Sequence, residues 1–157
     1  SFESMSNTIY LPLFINSSKL IIKSLQNLIT RNADSDFSNL IIKNHPLTEK
    51  SEQHIKLIEE IKNLLKSYSN IASERKVDSK FSIFIGSTSS PIEALERGVN
   101  VIHICDDPVF QRYSSTLWPS IKTKKIDENT FEYQLSKKGN LIQLGSNPKI
   151  FQEEYFN

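Results

Sequence analysis

FSIFIGSTSSPIEALERGVNVIHI, residues 81–104, holds a strand, a loop, a helix and a second strand in immediate succession. Phe81, Ile83, Phe84 and Ile85 form a short apolar run with the length and β propensity of a buried strand. Gly86-Ser87-Thr88-Ser89-Ser90 breaks that run with small and hydroxyl residues. Pro91 suits the first turn of a helix, where its missing N–H would be unpaired in any case. Gly98 closes the helix, and Val99 to Cys105 resumes the sheet. A hydroxyl-rich loop that feeds a helix N-terminus is suited to an anion, because first-turn amides point outward and the helix dipole favours negative charge.

Upstream, the same alternation repeats. Thr8 to Phe14 reads as a strand interrupted near its end by Pro12. Ser17 or Ser18 can cap a helix running to about Thr30, with Leu20, Ile21, Leu25, Leu28 and Ile29 on one face. Asn32 to Ser38 is polar loop. Leu40-Ile41-Ile42 reads as a short buried strand ending in Lys43-Asn44-His45-Pro46. Thr48 or Ser51 then starts an amphipathic helix to about Ser67, whose stripe is Ile55, Ile58, Ile61, Leu65 and Tyr68, with Leu57 and Leu64 alongside. Asn70 to Ser73 reads as a brief strand and Val77 to Ser79 as a turn. Strands alternating with helices predict a parallel sheet covered on both faces, here a three-layer Rossmann-like α/β domain. In such sheets ligands bind beyond the carboxyl ends of the strands, where the strand order reverses.

The tail is less regular. Pro108 to Pro119 is aromatic-rich and predicts a short helix or packed loop. Ile121 to Ile126, Thr130 to Leu135 and Leu141 to Leu144 predict short strands, with turns at Asp127-Glu128-Asn129 and Lys137-Lys138-Gly139-Asn140. Residues 1–7 read as a polar leader or cloning remnant, and 8–157 as a single domain in which 108–157 is the irregular part. A length of 157 residues suffices for one sizeable core.

Charge and composition narrow the function. Nineteen basic and eighteen acidic residues leave a net charge of +1, which argues against a broad nucleic-acid-binding surface. Apolar runs are too short to span a bilayer, and no signal peptide is visible. The single cysteine, Cys105, excludes a disulfide framework or a cysteine zinc cluster and reads as a packed thiol. These features fit a cytoplasmic protein.

His45 lies just past a strand, and Pro46 biases it toward an extended backbone. A histidine there can donate a hydrogen bond to a phosphate or act as a general acid; the plainer reading is an ordinary turn. Ser87, Thr88, Ser89 and Ser90 offer hydroxyl donors beside a helix start. Ser90-Pro91-Ile92-Glu93 also has the spacing of a capping box, which would satisfy the helix amides without any ligand. Glu93 therefore reads either as the cap glutamate or as a carboxylate for ribose hydroxyls. The loop lacks the lysine of a P-loop and the GxGxxG of a dinucleotide fingerprint. Asp106-Asp107-Pro108 reads as a turn rather than a metal site. His54 falls off the apolar stripe and is expected in solvent. His103 points to the sheet face opposite Ile102 and Ile104 and is expected to be packed.

Taken together, LIIKNHP (40–46) and IFIGSTSSPIEALERGVNVI (83–102) resemble the C-terminal, donor-binding half of GT-B glycosyltransferases. The likeness is to bacterial CMP-sugar-dependent sialyl-, polysialyl- and Kdo-transferases of surface polysaccharide synthesis, and to CDP-glycerol polymerases. These share an HP motif after one strand and a serine/threonine pair after a later one. The resemblance covers about Thr8 to Ile104. It implies that His45 contacts the nucleotide phosphate and assists departure of the leaving group. It implies that Ser89 and Ser90, with Thr88, bind the same phosphate, and that Glu93 binds ribose. Cytosine would be read by backbone near the HP loop. No metal or other cofactor would be needed, the CMP-sugar being the donor substrate.

GT-B enzymes carry the acceptor site and general base largely in an N-terminal domain that this chain lacks. The expectation is therefore a nucleotide-sugar-binding domain, inactive alone, that works in a full enzyme moving sugar to a growing glycan. The glycan acceptor would come through the missing domain, at the inner face of the plasma membrane, with the full enzyme peripherally associated and no nucleic acid involved. Two other readings stay open: a non-catalytic α/β interaction module, and a UDP-sugar epimerase-like enzyme fragment.

Overall fold

The computed structural model describes residues 7–32, 37, 40–68 and 81–136. The strand expected at 70–73, the turn at 77–79, most of the 32–38 loop and the strand at 141–144 with its preceding turn lie outside them. Among the described residues are six strands and four helices. In order they are β1 (Thr8–Tyr10), α1 (Ser18–Arg31), β2 (Ile41–Lys43), α2 (Glu52–Tyr68), β3 (Phe81–Ile85), α3 (Ser90–Glu96), β4 (Asn100–Ile104), α4 (Pro108–Gln111), β5 (Ile121–Asp127) and β6 (Thr130–Leu135). The strands form one sheet in the order β2-β1-β3-β4-β6-β5. β2, β1, β3 and β4 run parallel. β6 joins β4 antiparallel and pairs with β5 as a hairpin. The fold is the expected α/β, Rossmann-like arrangement, with the tail strands added at one edge.

Period-2 alternation divides the side chains between two cores. Ile9, Phe81, Ile83, Ile85 and Ile104 face α1 and α2, where they meet Ile21, Leu25, Leu28, Leu57, Ile61 and Leu65. Phe84, Val101, Cys105, Phe131 and Tyr133 face the other way, against Ala94 and Leu95 of α3 and Trp118. β3 is buried at all five positions, as a strand covered on both faces must be. The Cys105 thiol is packed in this second core, and burial pushes its pKa up to about 12.

Three local expectations change. The Leu40–Ile42 segment is an edge strand rather than a buried one, and Ile41 is 60% exposed. β1 stops at Tyr10, although the Leu11 N–H still bonds to the Lys43 carbonyl; Pro12 has no N–H to continue the ladder. In α2, Ile55 is exposed and His54 is buried, so the inward stripe is His54, Leu57, Ile61 and Leu65. The remaining boundaries follow local signals. Ser17 caps α1, its Oγ accepting from the Leu20 N–H at 3.3 Å. Gly98, at φ 77°, ends α3 with the paired bonds Gly98 N–H to Leu95 O and Val99 N–H to Ala94 O.

Candidate functional site

The four parallel strands deliver their following loops to one end of the sheet. β1 is the switch point: the chain passes to β2 on one side, while β3 pairs on the other. His45 follows β2 and Ser87–Ser90 follow β3, so the two sequence-predicted groups share this end and flank the β1 connection. Two inter-strand steps of about 4.8 Å place their strands about 10 Å apart.

His45 has the extended backbone its proline neighbour imposes, φ −71° and ψ 140°, before the 3-10 turn Pro46–Thr48. Its Nδ1 accepts from the Leu47 N–H at 3.1 Å. The neutral ring therefore carries its proton on Nε2, at the free end of an exposed side chain. Asn44 holds the turn. Its Oδ1 accepts from the His45 N–H and from the Thr48 hydroxyl, and its Nδ2 donates to the Thr48 carbonyl. Sequence reasoning read Thr48 as a possible helix start and gave Asn44 no role, although an asparagine four residues before a threonine across an HP turn is a signal for such a clamp.

The serine loop starts at Gly86, whose φ of 77° turns the chain away from β3. A Cβ there would lie 2.7 Å from Pro12 Cβ, so only glycine lets the β1 and β3 loops touch. Ser87 and Ser89 are exposed, and Thr88 and Ser90 half-buried. The expected capping box does not form. Ser90 is the first helical residue, and its N–H donates to Thr88 Oγ1 at 3.2 Å. Glu93 instead pairs with Arg97 at 2.8 Å, one turn along the exposed face of α3. Thr88 is thus the capping hydroxyl, and the Ser89 side chain makes no cap bond.

Two buried groups tie the loops together, and neither was legible as such. Asp106 accepts from the Asn16 and Ser17 N–H groups at 2.6 and 3.0 Å. Its carboxylate occupies the N-terminus of α1, the helix end nearest the switch point. His54, expected in solvent, is 4% exposed. Its Nε2–H donates to the Pro12 carbonyl at 2.8 Å, and Nδ1 accepts from the Ser51 hydroxyl at 2.8 Å. The Pro12 carbonyl can only accept, which fixes the tautomer.

The rim of this end is apolar. Phe14, Leu47, Val109 and Phe110 are 77–84% exposed and Leu13 is partly so, all on the connections after β1, β2 and β4. Among the described residues no group of three or more His, Cys, Asp or Glu could hold a metal ion, and no helix is long and apolar enough to cross a membrane. Compared with protein families, curated proteins and solved structures, the chain matches none.

Proposed function

We propose that this chain is the nucleotide-sugar-binding half of a bacterial surface-polysaccharide glycosyltransferase that uses a CMP-activated sugar. The observation that carries the reading is the placement of His45 and Ser87–Ser90 on either side of the β1 connection, at the carboxyl end of a parallel sheet. A ligand lying across that connection has the His45 Nε2–H on one side. On the other it meets the Ser87 and Ser89 hydroxyls, which the helix cap does not use. Both sides offer donors, so the group between them is an acceptor such as a phosphate. As the glycosidic bond to phosphate breaks, negative charge grows on the phosphate oxygens, and donors already aimed there stabilise it. Glu93 would serve the ribose in competition with Arg97.

The exposed apolar rim supports a companion domain that closes over this end and brings the glycan acceptor. In this reading the full enzyme works at the cytoplasmic face of the membrane, and the chain alone transfers no sugar. The same rim, with the Ser90 amide already satisfied by Thr88, favours the second reading, a non-catalytic interaction module.

Titration with CMP and with UDP, followed by 1H–15N NMR, separates the two. CMP should shift the His45 and Ser87–Ser90 resonances, with UDP weaker. His45→Ala and Ser89→Ala should each weaken CMP about tenfold, as expected for a charge-assisted hydrogen bond of roughly 1.5–3 kcal/mol, with an unchanged unfolding midpoint in Ser89→Ala and a slightly lower one in His45→Ala, which also loses the bond from the Leu47 N–H. No response to either nucleotide would leave the interaction module standing.

A further inference from the structure

Beneath the serine loop lies a chain of buried polar rings whose protons the geometry assigns one by one. His103 and Tyr133 are fully buried. His103 Nε2 is 2.6 Å from the Gly86 carbonyl, which can only accept, so Nε2 carries the proton. Nδ1 then has a lone pair facing the Tyr133 hydroxyl at 2.8 Å, and the tyrosine must donate. The Tyr133 oxygen in turn accepts from the Tyr113 N–H at 3.1 Å. The Tyr113 hydroxyl donates to the Thr88 carbonyl. Each of these donors meets an acceptor. The rings also pack on one another: Tyr113 and Tyr133 stack at 5.2 Å and 7°, and His103 lies 5.7 and 5.5 Å from them.

The two ends of this chain of bonds are the carbonyls on either side of Ser87. Both Gly86 O and Thr88 O are held toward the protein interior, while the Ser87 side chain between them is exposed. We propose that His103, Tyr133 and Tyr113 form a positioning relay that fixes the Gly86–Ser90 loop in the shape that meets the ligand phosphate. This rests on the reading of that loop as the phosphate site.

Three apolar side chains could fill the same space, but they would leave the buried Gly86 carbonyl unpaired and the half-buried Thr88 carbonyl untethered, with the loop free to choose among conformations. The charged and titratable groups around His103 fit a relay in one protonation state. Tyr133 faces it as a neutral phenol, its pKa raised by burial, the Tyr113 ring packs edge-on beside it, and Cys105 is a neutral thiol farther along the same strand face. Asp106 lies close enough to draw its pKa upward. Burial outweighs that attraction and lowers the His103 pKa to about 4, so the ring stays neutral across the physiological range.

The test uses Tyr113→Phe, which keeps the stacked ring and the backbone N–H to Tyr133 and removes the tether to Thr88. Imidazole 15N spectra of the wild type should show the Nε2–H tautomer for His103, a signature that packing alone would not produce. In Tyr113→Phe the unfolding midpoint should change little. Amide exchange at Ser87–Ser90 should quicken, and CMP affinity should fall about fivefold, the equivalent of one neutral hydrogen bond. An Nδ1–H tautomer, or a variant with unchanged loop exchange and unchanged CMP affinity, overturns the relay. Failure of the phosphate reading looks different. CMP binding that ignores Ser89→Ala and His45→Ala, or no CMP binding by the wild type, removes the ligand and overturns the relay's stated purpose. The tautomer and exchange measurements still judge the relay's hold on the loop.

Discussion

Acidification should weaken this fold through His103 in a way that one substitution can isolate. The imidazole is fully buried between the Gly86 carbonyl and the Tyr133 hydroxyl. Burial lowers its pKa from 6.5 to about 4, against the opposing pull of the Gly86 carbonyl and Asp106. In the unfolded chain the ring returns to its ordinary value. Between pH 6.5 and 4 the unfolded state therefore holds a proton that the native state does not. Stability must fall as pH falls through that window. The contribution is complete above 6.5 and lost by about 4. Lowering the pKa from 6.5 to about 4, at roughly 1.4 kcal/mol for each tenfold change in proton affinity, amounts to about 3–4 kcal/mol. That is a large part of the 5–15 kcal/mol typical of such a domain. Urea unfolding at half-unit steps from pH 8 to 4 measures it, comparing wild type with His103→Gln. Carboxylates contribute equally to both proteins, so the difference between the two curves isolates one histidine. The variant should be less stable at pH 7.5 by roughly 1–3 kcal/mol, from impaired buried hydrogen bonds. The wild type should close that gap as the pH drops. Parallel curves across the whole window would show that His103 titrates normally in the native state, and the buried, neutral ring would be refuted.

Gly86→Ala places a Cβ 2.7 Å from Pro12 Cβ at a φ of 77° and should cost about 2 kcal/mol; an unchanged thermal midpoint would show that the β1 and β3 loops do not touch there. Asp106→Ala leaves the Asn16 and Ser17 N–H groups without their acceptor and should cost about 2 kcal/mol, with faster amide exchange at those two residues as the direct readout. Thr88→Ala should lose about 1 kcal/mol as the true helix cap while Ser90→Ala stays near wild type in denaturant unfolding. The reverse order would restore the capping box.

The elements with purely local causes could be read from the chain. The Phe81–Ile85 run, the Ser17 cap, the Gly98 stop and the Thr130–Leu135 strand stand where composition and spacing place them. Each depends on neighbours within a few positions, and so does the strand–helix alternation that makes the sheet parallel. His45 and Ser87–Ser90 were visible for the same reason, as polar residues directly after apolar runs.

What needed the tertiary structure was everything set by partners far along the chain. Local apolarity cannot distinguish a central strand from an edge strand, so only the sheet order placed β1 at the switch point and β2 at the rim. In α2, helical periodicity allows more than one inward face; the bond from His54 to the Pro12 carbonyl, 42 residues away, chooses the one that buries a histidine and exposes Ile55. Asp106 reaches the N-terminus of α1 from 89 to 90 residues away. The capping-box spacing at Ser90–Glu93 was satisfied in sequence and still did not form. A nearer hydroxyl on Thr88 took the amide, and Arg97 took the carboxylate. Hydrogen-bond partners are decided by which groups the fold brings within about 3 Å, and that proximity is a property of the assembled sheet, not of the order of residues.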